Sequence, residues 1–270
     1  MDYKLFEANL GGIDFTGLAS EIVLLDIVEE PAQMDTQTVP RALGDGMLRT
    51  VNRRKSLSVR IVYQIRTQDV ARRAEVRDLV TAWAMKGGTL KVNTRPGKML
   101  QVVMDTAPSL GSSMAWENEL SLTLTAYAVP YWQDAKLTSM RFETVLLDSG
   151  ENYLADVFAP DGQKDTPLNA MISINGETNL TNLSIKCGSS MLTFEGMDIE
   201  PGNVLLIGYS DDGIWEAMNF TQLEGDNSLL KYRTANSTDD LRAAPNVDNQ
   251  IIISADAPLS GTLTARGRWL

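Results

Sequence analysis

Strict alternation of apolar and polar side chains over residues 57–66 is the feature that most limits the possible folds. Leucine, valine, isoleucine and tyrosine occupy the odd positions, and serine, arginine and glutamine occupy most of the even ones. A period of two is that of a β-strand with one buried face. The same alternation returns at 120–125 and in several shorter stretches. The chain is therefore predicted to fold mainly into antiparallel β-sheets.

One stretch departs from this period, at about 68–86. Its apolar side chains recur at helical spacing, and either Thr67 or Asp69 can cap its start. Gly87 and Gly88 are suited to end it. The apolar positions are Val76, Leu79, Val80 and Trp83. The sequence predicts a single helix lying against a sheet.

Charge divides the chain into two parts. Residues 1–134 carry a net charge of about −1, whereas residues 135–270 carry about −10. A proline-aromatic segment, Pro130-Tyr131-Trp132, closes the first part. The second part contains short strand-like stretches separated by turn residues such as Asn175-Gly176. We therefore expect two domains, 1–134 and 135–270: a β-sandwich with one α-helix, followed by a second β-sandwich.

Residues 31–55 show neither the helical nor the strand period. A segment this long without regular structure is usually functional, so we expect an irregular arm that contacts another protomer. The apolar and basic side chains of the arm are the candidates for that interface. They are Met34, Val39, Arg41, Leu43, Met47, Leu48, Arg53, Arg54 and Lys55.

The stretch 53–66 holds five positive charges, which raises the question of nucleic-acid binding. The whole chain, however, has a net charge of −11. Phosphate-binding proteins usually show the opposite balance. Tyr63 lies on the opposite face of the strand from Arg60 and Arg66, so no aromatic side chain is interleaved with the charges. The sequence favours a solvated or partner-facing strand surface and predicts no specific nucleic-acid binding.

Catalytic chemistry has little support. The chain has no histidine and one cysteine, Cys187, which removes histidine-based triads, zinc sites and intrachain disulfides. A glycoside hydrolase uses a pair of carboxylates, and Glu216 is a candidate, but only its residue type supports that activity. No apolar run approaches the roughly 18 residues of a membrane span, and the N-terminus lacks a signal-peptide pattern. We expect a soluble protein that is not an enzyme, with no cofactor, metal or membrane partner.

A carbohydrate-binding surface module is the alternative function. Sugars stack on exposed aromatic rings, and the second half of the chain contains several aromatic side chains. Tyr209 and Trp215 are the candidates for such a site. Packing in the core is the other fate open to these rings.

Four stretches together resemble the distal tail protein family of long-tailed, non-contractile bacteriophages. They are GDGMLRTVNRRKSLSVRIVYQI, NTRPGKMLQVVMD, TAYAVPYWQD, and the second-half series from INGETNLTNLSIKCG through FEGMDIEPGNVLLIG to GTLTARGRWL. The resemblance implies a tail-tube-like N-terminal domain that forms a hexameric ring and a galectin-like C-terminal sandwich. It also implies a location at the virion tail tip after assembly in the host cytoplasm. The implied partners are the tail tube, other tail-tip proteins and adhesins, with DNA passing through the ring.

Overall fold

The structure is a computed structural model that describes residues 5–40, 47–106, 119–210, 213–222 and 227–270. At positions 40 and 47–52 it describes the backbone alone. The chain divides into two compact units, Met1–Trp132 and Gln133–Leu270. Strands dominate both units, so the expectation of a mainly β protein is confirmed.

The first unit is built around an antiparallel sheet with the strand order β2-β1-β6-β7-β8-β5-β3, and β4 pairs with β5 alone among the described strands. The expected helix is α1. The elements are β1 (Ala8–Leu10), β2 (Ile13–Asp14), a 3-10 helix (Phe15–Gly17), β3 (Ile22–Glu29), β4 (Gln33–Pro40), β5 (Met47–Ile65), α1 (Val70–Met85), β6 (Gly88–Val92), β7 (Lys98–Thr106), β8 (Leu120–Ala126) and β9 (Trp132–Asp134).

Alternation in the second half of β5 buries one face of this strand, as the sequence predicts. Its odd-numbered side chains from 57 to 65 are all buried. Helix α1 begins where the Asp69 carboxylate accepts the Ala71 N–H at 2.9 Å. Trp83 of α1 packs edge-on against Phe15, which in turn packs edge-on against Tyr63. This aromatic cluster holds the helix on the sheet.

Leu79 differs from the sequence expectation, because it is exposed on α1 rather than directed into the core. The helix buries Arg73, Val76, Val80, Trp83 and Ala84. The buried stripe is therefore turned away from Leu79 and towards Arg73 and Ala84.

The second unit contains two five-stranded antiparallel sheets, ordered β10-β21-β14-β17-β18 and β11-β12-β20-β15-β16. Apart from a short 3-10 helix, its described residues contain no helix. The strands are β10 (Thr138–Glu143), β11 (Val145–Leu146), β12 (Asn152–Phe158), β13 (Thr166–Pro167), β14 (Asn169–Ile174), β15 (Leu180–Cys187), β16 (Ser190–Ile199), β17 (Val204–Tyr209), β18 (Trp215–Asn219), β19 (Arg242–Ala243), β20 (Asn249–Ala255), β21 (Leu259–Ala265) and β22 (Arg268–Trp269), and the 3-10 helix is Leu230–Tyr232.

One continuous hydrophobic core joins the inner faces of the two sheets. Ile172 and Leu263 come from the first sheet, and Ile185 and Ile253 come from the second. This arrangement is a β-sandwich. Cys187 lies in the same core, where burial raises the pKa of its thiol to about 11. The thiol is therefore protonated and unreactive at neutral pH.

The expectation of an irregular segment at 31–55 is wrong. Residues 33–40 and 47–55 belong to β4 and β5, which form a β-hairpin. Residues 41–46, which join the two strands, lie outside the described part of the chain.

Candidate functional site

The hairpin of β4 and the first half of β5, called the arm hairpin below, extends past the sheet of the first unit. Its register runs from the pair Gln33 and Ser56 to the pair Pro40 and Met47. Strand β8 begins to pair with β5 only at Leu57, and β3 only at Val59. Residues 47–56 therefore have β4 as their one partner among the described strands.

Both edges of the arm hairpin are open within the described part of the chain. Strand β4 pairs on one side, with β5, and the arm part of β5 pairs on one side, with β4. A two-stranded hairpin is at best marginally stable alone in water. A strand edge that no other strand covers can also add a strand from another chain. The arm hairpin therefore has two edges that no described strand covers.

Two irregularities in the register interrupt the arm hairpin on the β5 side. Gln37 and Thr38 pair with residues 51 and 49, and Gln33 and Met34 pair with residues 56 and 54. Residues 50 and 55 are thus extra residues in β5. A bulge of this kind bends the strand and increases its local twist. The arm hairpin is therefore not a flat continuation of the sheet.

The five positive charges of 53–66 are called the basic cluster below, and three of its arginines, Arg53, Arg54 and Arg60, have partners within their own chain. The Arg53 Nε donates to the Asp35 carboxylate across the arm hairpin at 3.0 Å. The Arg54 guanidinium lies 5.0 Å from the centroid of the Tyr131 ring, and its Nη1 donates to the Pro130 carbonyl at 3.3 Å.

Farther along β5, the Arg60 Nε lies 3.5 Å from a carboxylate oxygen of Glu30. Lys55 occupies the bulge and is exposed. With Arg53 and Arg60 facing carboxylates, the basic cluster does not form the row of free charges that a phosphate backbone needs.

The predicted interface residues fall into three groups. Met34 and Val39 lie on β4 and are 46% and 44% exposed, so they are available to a partner. Arg41 and Leu43 lie outside the described residues. Met47 and Leu48 begin β5, where the backbone alone is described. The remaining three are Arg53, Arg54 and Lys55.

A partly buried ion-pair network, which the sequence analysis did not predict, lies close to the start of the arm hairpin. The Arg95 Nε and Nη2 donate to the two carboxylate oxygens of Glu29, each at 2.8 Å. The indole N–H of the fully buried Trp132 donates to the same carboxylate at 3.1 Å. These hydrogen bonds, chiefly those from Arg95, lower the pKa of Glu29.

The Glu29 network fixes the end of β3, and three residues separate Glu29 from the start of β4. In the sequence, the members of this network belong to separate segments, and each of these segments is recognised only by itself. Arg95 belongs to the turn Arg95-Pro96-Gly97, and Trp132 to the segment that ends the first unit. Nothing in their spacing indicates that they meet Glu29.

Tyr209 and Trp215, the candidates for sugar stacking, are direct cross-strand neighbours on β17 and β18. Trp215 packs against the core, and the Arg233 guanidinium lies 5.1 Å from the centroid of its ring. The Tyr209 hydroxyl donates to Asp240 at 2.7 Å. A sugar would have to displace the guanidinium to stack on that face of Trp215.

The described ranges contain neither a candidate metal site nor a helix that could span a membrane. No group of three or more Cys, Asp or Glu side chains is placed there to hold a metal ion. No helix among these residues is long and apolar enough to cross a membrane.

Comparisons with known proteins identify the fold. No protein-family profile matches the sequence. No curated protein matches it either. Among solved structures, the chain is similar to SPP1 Dit (gp 19.1), described as a paradigm of the hub adsorption apparatus in phages that infect Gram-positive bacteria.

The similarity to SPP1 Dit covers 97% of this chain and 98% of that chain, with a TM-score of 0.66 and 10% identity. Two structures of the phage P2 baseplate in its activated conformation, with Ca and with Sr, match over 95% of this chain and 97% of theirs. Their TM-score is 0.45 and their identity 8%. The chain thus has the fold of SPP1 Dit over nearly its whole length.

Proposed function

We propose that this protein is a structural component of a phage or prophage tail tip that assembles into a ring through its first unit. The arm hairpin carries the proposal. It is a two-stranded ribbon whose edges are open among the described strands, with exposed apolar side chains on β4. Such a ribbon gains most of its stability from a partner chain.

A neighbouring copy is the partner that fits the arm hairpin. A hairpin that binds a different surface of the next subunit makes a head-to-tail contact, and repeated contacts of that kind close into a ring. The resemblance to distal tail proteins implies six copies. The fold shared with SPP1 Dit supports the tail-tip role, because that protein is described as a hub of an adsorption apparatus.

The charge of the arm hairpin suits a ring that lets DNA through without holding it. Free Lys and Arg side chains in a channel would be repeated in every subunit and would retard DNA through phosphate attraction. Arg53 and Arg60 instead face Asp35 and Glu30. The tail tube above the ring and adhesins around it are the further partners in this proposal.

The test is the mass and shape of the purified full-length chain. Light scattering over a concentration series is expected to reach about six times the 29.7 kDa chain mass, and negative-stain images are expected to show rings. Some ring proteins close only on a neighbouring component, so the experiment is repeated with the tail-tube protein of the same phage or prophage. A monomer under both conditions would contradict the proposal.

A further inference from the structure

The outer face of the β10-β21-β14-β17-β18 sheet changes character halfway across. One row of residues in direct register shows the change, because cross-strand neighbours share a face. The row begins with Arg141 and Thr262 on β10 and β21 and continues with Met171, Leu206 and Met218 on β14, β17 and β18. In this row the outward side chains are polar on two strands and apolar on three, whereas Asn169 and Ser173 on β14 and Glu216 on β18 are polar positions of the same face.

Two more apolar side chains extend this surface. Val204 lies two residues from Leu206 on β17, so its side chain is on the same face. The Phe220 N–H, just after β18, donates to the Val204 carbonyl at 2.7 Å, and the Phe220 side chain is 60% exposed. We call Met171, Val204, Leu206, Met218 and Phe220 the outer patch.

The outer patch has the composition of an interface. Sandwich strands normally place polar residues on the solvent side. Methionine and aromatic side chains are enriched at protein interfaces, and methionine adapts its shape to a partner. Met171 is 51% exposed although it lies near the middle of its sheet. Neighbouring exposed apolar side chains of this kind are characteristic of interaction sites.

A pit adjoins the outer patch, and its lining indicates which side chain of a partner could bind there. It has a volume of about 220 Å³, and its lining residues include Asn169, Leu206, Gly208 and Glu216. A water molecule occupies roughly 30 Å³ of liquid, so the pit can admit a side chain. Leu206 supplies an apolar contact, and Glu216, the cross-strand neighbour of Gly208, supplies a carboxylate.

Hydrogen bonds hold the Asn169 side chain, which forms one wall of the pit, in place. The Asn169 amide accepts from the Tyr209 N–H at 2.9 Å and donates to the Tyr209 carbonyl at 3.0 Å. A β-carbon on residue 208 would lie only 2.3 Å from the Asn169 Oδ1, so glycine is required there. The hydrogen bonds therefore fix one lining side chain of the pit, Asn169, against Gly208.

We propose that the outer patch and its pit bind a basic, apolar segment of another protein, with a Lys or Arg side chain of that segment seated in the pit. The aliphatic stem of such a side chain would contact Leu206, and its charged end would reach the Glu216 carboxylate. Residues 135–270 carry a net charge of about −10, which attracts a basic partner. The same charge disfavours a second copy of this unit on the patch.

The experiment uses the full-length chain and three fluorescent ten-residue peptides, in which Lys alternates with Leu, Lys alternates with Ser, or Glu alternates with Leu. The Lys–Leu peptide is expected to bind at least about tenfold tighter than the other two, a difference of about 1.4 kcal/mol. Equal binding of the Lys–Ser peptide would reduce the effect to net charge and overturn the proposal. So would preferred binding of the Glu–Leu peptide, or no binding at all.

Matched variants locate the binding. Glu216→Gln and Met171→Ser with Met218→Ser are each expected to weaken Lys–Leu binding by about fivefold or more, roughly 1 kcal/mol. Glu143→Gln is the charge control on the same outer face, and Val157→Ser is the apolar control, because Val157 is also 51% exposed. Controls that weaken binding as much as the test variants would place the peptide elsewhere and overturn the proposal.

Light scattering on the same variants separates this surface from ring formation. The outer patch belongs to the second unit and the arm hairpin to the first, so the patch variants are expected to keep the oligomer of the unaltered chain. Loss of the oligomer in Met171→Ser with Met218→Ser would identify a second copy as the occupant and contradict a basic partner.

Discussion

Arg95 grips Glu29 with two parallel hydrogen bonds of 2.8 Å, one to each carboxylate oxygen. This fork geometry is the strong form of an ion pair. The same carboxylate also accepts the indole N–H of Trp132 at 3.1 Å. Glu29 therefore ties together the end of β3, the turn between β6 and β7, and the last residue of the first unit.

The first prediction concerns the removal of the Glu29 charge. Glu29→Gln is expected to lower the free energy of unfolding by about 1–2 kcal/mol, because a neutral amide cannot accept from both Arg95 and Trp132 with the strength of a carboxylate. Glu30→Gln is the matched control: its pair with Arg60 is longer, at 3.5 Å, and more exposed. Chemical denaturation of the two variants gives the comparison. Equal losses would show that Glu29 has no special role.

The second prediction follows from the lowered pKa of Glu29. Its folded-state pKa lies below the ordinary value of 4.5. The carboxylate form is favoured by folding, so its stabilisation is complete above about pH 4.5 and is lost as the pH falls through the folded-state pKa. The difference in unfolding free energy between the unaltered chain and Glu29→Gln should thus be constant near pH 7 and shrink in acid.

Other carboxylates titrate in the same direction, so the difference between the two proteins is the quantity to measure. Arg72 hydrogen bonds, for instance, lower the pKa of Glu21 to about 2. A difference that stays the same from pH 7 to pH 3 would contradict the assignment to Glu29.

Much of the fold can be predicted from the sequence, but the arm hairpin could not. The alternation from Leu57 onward predicts the buried half of β5. The bulges at residues 50 and 55 shift the period of two, so the preceding part of the same strand reads as irregular. The long strand therefore seemed to begin near Leu57 rather than at Met47.

The outer patch shows a second limit. Ala170 and Ile172 point into the core as the alternation of β14 predicts, and Met171 points outward. A single exposed methionine is unremarkable in a sequence. Its position beside Leu206 and Met218 depends on the register between three strands, which the sequence does not reveal.

The third prediction concerns the ion pair across the arm hairpin. Arg53→Glu places two negative charges face to face at Asp35 and is expected to weaken assembly. Adding Asp35→Arg restores opposite charges and should recover most of it, with a coupling energy of about 0.2–1 kcal/mol. Light scattering measures assembly. Failure of the double variant to recover would mean that Arg53 contacts something other than Asp35.

The fourth prediction tests the basic cluster against DNA. Replacing Arg53, Arg54 and Lys55 together by Glu is expected to disturb assembly while leaving affinity for duplex DNA negligible, as in the unaltered chain. The reason is that Arg53 and Arg54 already have partners in the chain. Duplex binding is measured over a salt series. Tight binding by the unaltered chain that weakens steeply with salt and disappears in the variant would restore a nucleic-acid site.

The last prediction tests whether the arm hairpin is an assembly element or a folding element. Residues 34–55 are replaced by Asn-Gly, which joins Gln33 to Ser56, its cross-strand partner, through a two-residue hairpin turn. The unit should stay folded, because the buried face of β5 begins at Ser56 and Leu57, both nearly inaccessible. The lost contact of Arg54 with Tyr131 costs only about 0.5–1 kcal/mol.

Light scattering on this variant should show a monomer, and circular dichroism should show a thermal transition close to that of the unaltered chain. Met34→Ser with Val39→Ser is the milder companion, since it keeps the hairpin and removes its two exposed apolar side chains on β4. It should weaken the oligomer without abolishing the fold. An oligomer that survives the complete replacement would place the subunit contact outside the arm hairpin. An unfolded variant would show instead that the first unit needs the hairpin in order to fold.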